Sequence, residues 1–195
     1  MQPVLQEAIT ARRRARRDRA AAAEPGESRR GSLRQLDERA ARLVAADLLT
    51  RRPWTQADLA RRLVRRGAPA EVADAVVADL TARGYLDDAA FARQWVESRS
   101  ARGYGAARLR AELRARGVDS AVIDAAVGAL APDATLARAL ALARRRLPVI
   151  ARGRPERVAK RLRDYLLRRG YAPGVVVHVV RQLTRIAVTA DAVVR

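Results

Sequence analysis

The sequence of 195 residues has no cysteine and only one histidine, one lysine and one phenylalanine. Without cysteine, the chain can form neither disulfides nor thiolate metal sites, and it has no cysteine nucleophile. The lone histidine, His178, supplies neither a catalytic triad nor a metal-binding set. We therefore expect no catalytic site, no metal and no cofactor, and hence a protein that is not an enzyme.

Nucleotide-binding loops are also missing. Lys160 follows an alanine, so the GxxxxGK[ST] phosphate-binding loop is absent, and Gly103-Tyr104-Gly105 lacks the third glycine of a dinucleotide-binding motif. The adjacent carboxylates Asp87 and Asp88 stand where a helix is predicted to begin, and acidic residues typically cap a helix at that position. We therefore interpret this pair as a helix cap rather than as an acid–base pair.

Long apolar runs are absent too. The longest stretch without a charged residue, Tyr171–Val180, has 10 residues, whereas a membrane-spanning helix needs about 20. The N-terminus has no apolar segment of the kind that directs secretion. We expect a cytoplasmic protein that does not contact a membrane.

Basic residues dominate the charge. Lys and Arg together number 40 and Asp and Glu 21, which leaves a formal net charge of +19, and 39 of the 40 basic residues are arginine. GC-rich coding also produces sequences rich in alanine and arginine, so part of this content carries no functional information. A surplus of this size nevertheless favours polyanionic partners, because it attracts phosphate and releases counterions.

Residues 1–32 form a distinct N-terminal segment, which we call the arm. Six arginines crowd between positions 12 and 19, and the stretch Glu24-Pro25-Gly26-Glu27-Ser28 has the composition of a linker. Because the arm has almost no apolar stripe, it cannot bury a face against a core. We predict a basic, mobile arm that is dispensable for folding.

After the arm, the sequence repeats itself three times. Segments 59–80, 109–130 and 162–183 align over 22 positions without a gap. Repetition of this kind is the signature of a tandem-repeat architecture. Seven columns are identical in all three segments: Leu59/Leu109/Leu162, Leu63/Leu113/Leu166, Arg66/Arg116/Arg169, Gly67/Gly117/Gly170, Val72/Val122/Val175, Val77/Val127/Val180 and Leu80/Leu130/Leu183.

The spacing within each segment predicts two helices joined by a turn. The two leucines of the first helix are i, i+4 neighbours, and a glycine follows its last turn, where a left-handed C-cap favours a residue without a Cβ. The second helix is rich in valine, and in two segments Pro69 and Pro173 stand at its first helical position. The shared register also predicts a helix for the run Val175–Val180, which by itself resembles a strand.

Another helical stretch precedes each pair, at about 33–52, 88–101 and 133–147, with Ser32 and Gln35 as a capping box and Thr55 and Asp87 as N-caps. The predicted fold class is therefore all-α, with three tandem three-helix repeats forming an elongated, curved body and a basic N-terminal arm. The predicted domains are the arm, 1–32, and the repeats 33–84, 85–130 and 131–195.

The third repeat carries most of the charge surplus. Residues 131–195 hold 15 basic and 4 acidic residues, and the stretch 144–169 alone holds 11 and 2. On the helix predicted at 156–169, Arg157, Lys160 and Arg168 lie opposite the apolar face, and a merely solvated face would normally mix acids with bases. We therefore predict a surface for nucleic acid or an acidic partner, formed by Arg144, Arg145, Arg146, Arg152, Arg154, Arg157, Lys160, Arg161, Arg163 and Arg168.

Three motifs along the repeats resemble those of the RecX family of regulatory proteins, the modulators of RecA recombinase. The central motif combines Gly84-Tyr85-Leu86-Asp87-Asp88-x-x-Phe91-Ala92 with Arg102-Gly103-Tyr104-Gly105 and Leu109-x-x-x-Leu113-x-x-x-Gly117-Val118. It is preceded by Trp54-Thr55-x-x-Asp58-Leu59 and followed by Tyr165-Leu166-x-x-Arg169-Gly170-Tyr171. The resemblance covers about 38–184; Asp58 stands where the family usually has Glu, and the arm has no counterpart.

The resemblance implies a non-enzymatic regulator of homologous recombination and DNA repair, linked to the SOS response. Family members bind the RecA–single-stranded-DNA filament along its groove and restrain its recombinase, ATPase and coprotease activities, and some bind DNA directly. The implied partners are the RecA filament, single-stranded DNA and also double-stranded DNA, for a chain that we expect to be monomeric. The alternative is a stand-alone DNA-binding protein, architectural or transcriptional, since tri-helical units can place a helix in the major groove.

Overall fold

Nine α-helices account for most of the residues that the structure, a computed structural model, describes: 35–152 and 155–193. They are α1 (Glu38–Arg51), α2 (Gln56–Arg65), α3 (Ala70–Ala82), α4 (Asp88–Ala101), α5 (Ala106–Ala115), α6 (Ser120–Gly128), α7 (Pro132–Ala151), α8 (Val158–Arg168) and α9 (Pro173–Val193). A 3₁₀ turn, Pro155–Arg157, precedes α8. No strand occurs in these two ranges, so the all-α prediction is confirmed. The arm lies outside the described residues.

Each consecutive trio of helices closes its own apolar core. The first core is built by α1–α3, the second by α4–α6 and the third by α7–α9. Full burial of one leucine contributes about 1.5–3 kcal/mol, and the repeated leucines are all fully buried: Leu59, Leu63, Leu109, Leu113, Leu162 and Leu166. The prediction of three tandem three-helix repeats is confirmed, while the exact domain limits and the elongated, curved shape stay predictions.

The glycine that follows the second helix of each repeat adopts the left-handed backbone conformation. Its φ is 99° at Gly67, 77° at Gly117 and 85° at Gly170. In the third repeat the Gly170 N–H donates to the carbonyl of Leu167 (2.9 Å), and the Tyr171 N–H donates to the carbonyl of Leu166 (3.2 Å). The same pair of hydrogen bonds recurs in the other two repeats. This is the Schellman C-cap, and it confirms the turn predicted from the internal alignment.

The start of α1 differs from the prediction. The helix begins at Glu38 rather than at 33, because Asp37 is its N-cap: the Oδ1 of Asp37 accepts a hydrogen bond from the Ala40 N–H at 2.8 Å. The Leu36 N–H donates to the carbonyl of the first repeated glycine, at 2.9 Å, which holds the preceding backbone outside the helix. The predicted capping box therefore does not begin this helix, and its first member, Ser32, lies outside the described residues.

At three prolines the observed helix ends can be compared with the predicted ones; two differ and one agrees. Pro69 occupies the N-cap of α3 instead of its first helical position, whereas Pro173 begins α9 as predicted. The helix predicted to end at 147 runs on through Pro148 to Ala151. A proline inside a helix removes a backbone hydrogen bond, and here the burial of Ile150 in the third core offsets that cost.

Among the described residues, no single helix is long and apolar enough to cross a bilayer. The two helices α6 and α7 reach that length and composition only when they are taken together, and they are bent by 77° at the break between them. The α6 residues Ile123, Ala126 and Val127 are buried in the second core.

Candidate nucleic-acid interface

The described members of the predicted basic set lie on the third repeat, in the C-terminal half of α7, directly after it at Arg152, in the 3₁₀ turn at Arg157, and on α8. The orientation of α8 is set by Leu162 and Leu166, which are fully buried. Nine of the ten predicted residues are exposed, and we call these nine the basic surface: Arg144, Arg145, Arg146, Arg152, Arg157, Lys160, Arg161, Arg163 and Arg168. The tenth, Arg154, lies outside the described residues.

Carboxylate partners are scarce on the basic surface. Among the side chains that the structure describes, only one of its members has a carboxylate within 4.0 Å: the Nε of Arg163 lies 3.5 Å from the Oδ1 of Asp164. Unpaired guanidinium groups keep their planar fork of donors for an external anion. In the first two repeats, by contrast, carboxylates pair with eight arginines: Arg42, Arg51, Arg61, Arg83, Arg99, Arg108, Arg110 and Arg116.

A cleft of about 290 Å³ opens between α7 and α8, within the basic surface. Its apolar lining consists of Ile150, which is buried in the third core, Val149, whose surface is 50% exposed, and the half-buried Tyr165. Its charged lining consists of Arg146, Arg161, Arg168 and Asp164. The arginines of the cleft were predicted from the sequence, whereas Val149 was not, because an isolated valine beside a proline carries no signal that separates it from the core.

Adjacent repeats meet at the ends of their second helices, and the first such joint connects α2 with α5. Thr55 is fully buried there: its Oγ1 accepts a hydrogen bond from the Asp58 N–H (3.1 Å), as predicted for an N-cap, and donates to the carbonyl of Arg116 (2.8 Å). The guanidinium of Arg116 in turn donates to the Oδ2 of Asp58 at 2.8 Å. A buried hydroxyl and an ion pair therefore help to hold the first two repeats together.

The second joint, between α5 and α8, repeats this arrangement with backbone groups. The Gly105 N–H donates to the carbonyl of Arg169 (2.8 Å), and the Ala107 N–H donates to the carbonyl of Gly170 (3.1 Å). A Cβ on Gly105 would overlap the Gly170 carbonyl, so this approach requires glycine. At both joints the negative end of one helix faces the positive end of the next, which is electrostatically favourable. In the second and third repeats, the Arg-Gly pair, interpreted from sequence as a C-cap alone, also joins the repeat to the preceding one.

The acidic pair at the start of α4 caps two different helices. Asp87 accepts from the Ala90 N–H at 2.8 Å, which confirms it as the N-cap of α4, and Asp88 accepts from the Gln56 N–H at 3.0 Å, at the start of α2. Burial raises the pKa of Asp88, the hydrogen bond from Gln56 lowers it, and the negative charges of Asp87 and Asp58 raise it further. The net shift is upward, so ionisation of Asp88 carries an electrostatic cost at the first joint.

We expect Asp88→Asn to flatten the dependence of stability on pH. Because the pKa of Asp88 is raised from its ordinary 3.8, its contribution to stability is fully present below the unfolded pKa and is lost as pH rises through the folded value. Asparagine keeps an oxygen acceptor for the Gln56 N–H and has no proton to lose. Thermal melts of both proteins between about pH 4 and pH 7 check this; an identical fall in melting temperature would contradict it.

Metal ligands are not grouped in the part of the chain that the structure describes. His178 is exposed on α9. Among the side chains that the structure describes, no three His, Cys, Asp or Glu residues are arranged to hold a metal ion. The arginine and lysine side chains of the basic surface supply hydrogen-bond donors that match the oxygens of anions.

Comparison with known proteins identifies the family. Residues 41–80 match a family model described as RecX, first three-helix domain, and residues 87–127 match RecX, second three-helix domain. The regulatory protein RecX of Thermobifida fusca is 46% identical over 144 residues, which cover 73% of this chain and 77% of that protein. The chain belongs to the RecX family. The regulatory protein RecX of Mycobacterium tuberculosis is 42% identical over 148 residues, 73% of this chain and 85% of the relative.

Two solved structures share the RecX fold with this chain. A crystal structure of regulatory protein RecX matches it with a TM-score of 0.67 at 21% identity, covering 73% of this chain and 70% of the other. The crystal structure of RecX from Lactobacillus salivarius matches with a TM-score of 0.67 at 13% identity, covering 75% and 96%. At these identities the likeness shows the arrangement of the helices and not the residues of a binding surface.

One feature of this RecX chain that the sequence analysis missed is a set of arginines over aromatic rings in the second repeat. The guanidinium carbon of Arg116 lies 4.1 Å from the ring centroid of Trp95, and that of Arg99 lies 4.3 Å from it. The guanidinium carbon of Arg108 lies 4.2 Å from the centroid of Tyr104. The spacings Trp95–Arg99 and Tyr104–Arg108 are i, i+4 and could have indicated two of these contacts. The third depends on the fold.

Proposed function

We propose that this RecX-family chain binds the RecA–single-stranded-DNA filament through the basic surface and restrains its recombinase, ATPase and coprotease activities. It acts as a monomer in the cytoplasm, as a regulator of recombination and DNA repair in the SOS response, and needs no cofactor. The observation that carries the proposal is that eight of the nine described members of the basic surface have no carboxylate within 4.0 Å among the described side chains. Phosphates or acidic side chains on a filament would satisfy these charges.

The way the repeats are joined supports a role as a binding platform. Most of the basic surface lies on the helices α7 and α8, so these charges are held in a defined pattern. The third repeat is tied to the second by the two backbone hydrogen bonds at Gly105 and Ala107. If several charges of the basic surface contact the filament at once, the chain shifts the filament towards the conformation that the chain binds best. Such a shift restrains the activities of the filament without any catalysis by the chain.

The experiment measures ATP hydrolysis and strand exchange by RecA on single-stranded DNA with increasing amounts of this protein. Both rates are expected to fall, and binding is expected to be strengthened by RecA together with nucleotide. The control is binding to naked duplex DNA of equal length without RecA. Equally tight binding to that duplex, with unchanged RecA rates, would contradict the proposal and favour a stand-alone DNA-binding protein.

A further inference from the structure

We propose that the cleft between α7 and α8 binds one unstacked base of single-stranded DNA, while the arginines that line it hold the neighbouring phosphates. The cleft lies within the basic surface, so this inference rests on the proposed function and adds the chemical class of ligand that the surface takes. Three properties of the cleft carry it: its apolar lining, its unpaired charge and its size.

The apolar lining stands in the most basic part of the chain. Val149 is 50% exposed, and the half-buried Tyr165 lines the same cleft. Apolar side chains surrounded by arginines favour a ligand that has a flat apolar face and a charged backbone. A nucleotide has both. The guanidinium carbons of Arg146 and Arg169 lie 5.6 Å and 5.4 Å from the centroid of the Tyr165 ring, and bases stack on guanidinium planes as well as on aromatic rings.

The charge of the cleft is positive and available. Arg146, Arg161 and Arg168 line it, and none of them has a carboxylate within 4.0 Å among the described side chains. Asp164 lines it as well, but its Oδ1 lies 3.5 Å from the Nε of Arg163, outside the cleft lining. The three positive charges of the arginines therefore outnumber the one negative charge of Asp164, and the lining of the cleft has a net positive charge. Guanidinium groups match phosphate oxygens and also stack on flat rings.

Size and shape favour a single strand over the other polyanions. The cleft, at about 290 Å³, is close to the lower end of ordinary ligand pockets, about 300–1,000 Å³, which leaves room for one base. In a duplex the flat faces of the bases are buried in the stack, so they cannot reach Val149. An acidic protein segment would satisfy the arginines but would bring no flat ring to the apolar lining.

The test compares two fluorescent oligonucleotides of equal length and charge, an oligothymidylate and its abasic counterpart, by anisotropy with the full chain. Because both carry the same phosphates, the ratio of their affinities isolates the contribution of the bases. Stacking of one base corresponds to between about 5-fold and 150-fold in affinity. We expect the parent to prefer the oligothymidylate by a factor in this range, and Val149→Glu to reduce the ratio by at least about 5-fold.

Val177→Glu is the matched control. Val177 is 45% exposed on α9 of the same repeat, lies outside the cleft lining, and undergoes the same change of charge. It is expected to keep the parent's ratio. Circular dichroism melts establish that both variants are folded, and Val149→Ser, which adds no charge, replaces Val149→Glu if the latter unfolds. The inference would be overturned if the parent showed no preference for the oligothymidylate or if the Val149 variant kept the parent's ratio. It would also be overturned by an equal loss in both variants, or by tighter binding to duplex DNA or polyglutamate.

RecA assays run in parallel separate this inference from the proposed function. If the parent restrains RecA but shows no preference for the base-bearing oligonucleotide, the inference about the cleft fails and the proposed function stands. If the parent shows the preference, loses it in the Val149 variant and leaves RecA unaffected, the proposed function fails and the inference about the cleft stands.

Discussion

A variant in which Arg157, Lys160 and Arg168 are all changed to Glu is expected to lose binding to the RecA filament while it keeps its fold. All three side chains are exposed, and none has a carboxylate within 4.0 Å among the described side chains. At about 1.5 kcal/mol for each charged contact, three lost contacts weaken binding on the order of 1,000-fold. Titration of labelled filament measures the loss, and a circular dichroism melt checks the fold.

The matched control changes three other exposed arginines, Arg65, Arg93 and Arg114, to Glu. They lie in the first two repeats and likewise have no carboxylate within 4.0 Å among the described side chains. Each substitution removes two charge units, so both triple variants fall from +19 to +13. Equal losses of binding would mean that net charge alone matters. If the variant of the third repeat binds like the parent, its charge is a solvated face and the site assignment is wrong.

The salt dependence of filament binding, taken together with binding to naked DNA, identifies the partner of the basic surface. Each lost contact with a phosphate of single-stranded DNA is expected to lower the slope of log K against log salt by about 0.7. Contacts with RecA carboxylates would also weaken with salt, but their loss would change binding to naked DNA very little. Binding of parent and variant to naked single-stranded DNA therefore separates the two partners.

Gly117→Val is expected to lower the free energy of unfolding by about 2–5 kcal/mol. Gly117 has a φ of 77°, and the left-handed conformation costs a residue with a Cβ about 1–2 kcal/mol. A Cβ there would also overlap the Cβ of Ala57 on α2 of the preceding repeat, and overpacking costs about 1–3 kcal/mol. The substitution therefore damages the C-cap of α5 and the first joint together.

Gly84→Val separates these two effects. Gly84 also has a φ of 77°, but a Cβ there would meet nothing within 4 Å, so we expect only the backbone strain of about 1–2 kcal/mol. Urea denaturation measures the free energy of unfolding of each variant. The difference between the two losses is the contribution of the packing at the first joint. Equal losses would show that Gly117 does not join the repeats, and unchanged stability of Gly117→Val would contradict its role as a C-cap.

The helices and their C-caps could be predicted because their determinants are local. Leucines at i, i+4 and a glycine after the last turn lie within one short segment, and three aligned copies reinforce the same interpretation. The run Val175–Val180 depends on this alignment. Its β-branched residues by themselves favour a strand, but its register with the other two segments predicts a helix. It lies within α9.

The errors occurred where a distant contact decided the outcome. The start of α1 depends on the hydrogen bond from Leu36 to Gly67, which joins backbone groups that are far apart in the sequence. The extension of α7 beyond Pro148 depends on the burial of Ile150 against helices that follow it. Rules for capping residues and prolines consider only neighbouring residues in the sequence. They therefore predicted the wrong start for α1 and the wrong end for α7.

For the basic surface, too, some properties follow from the sequence and others only from the tertiary structure. The sequence by itself determined which residues are basic and that they cluster in the third repeat, because composition and helical periodicity are properties of the chain. Only the tertiary structure decided which guanidinium groups are free: Arg116 is bound to Asp58, 58 residues away, whereas Arg168 has no carboxylate within 4.0 Å among the described side chains. It also decided that Val149 lies in a cleft with three arginines. The physical reason is that ion pairs and clefts depend on distances in space, which the packing of helices sets.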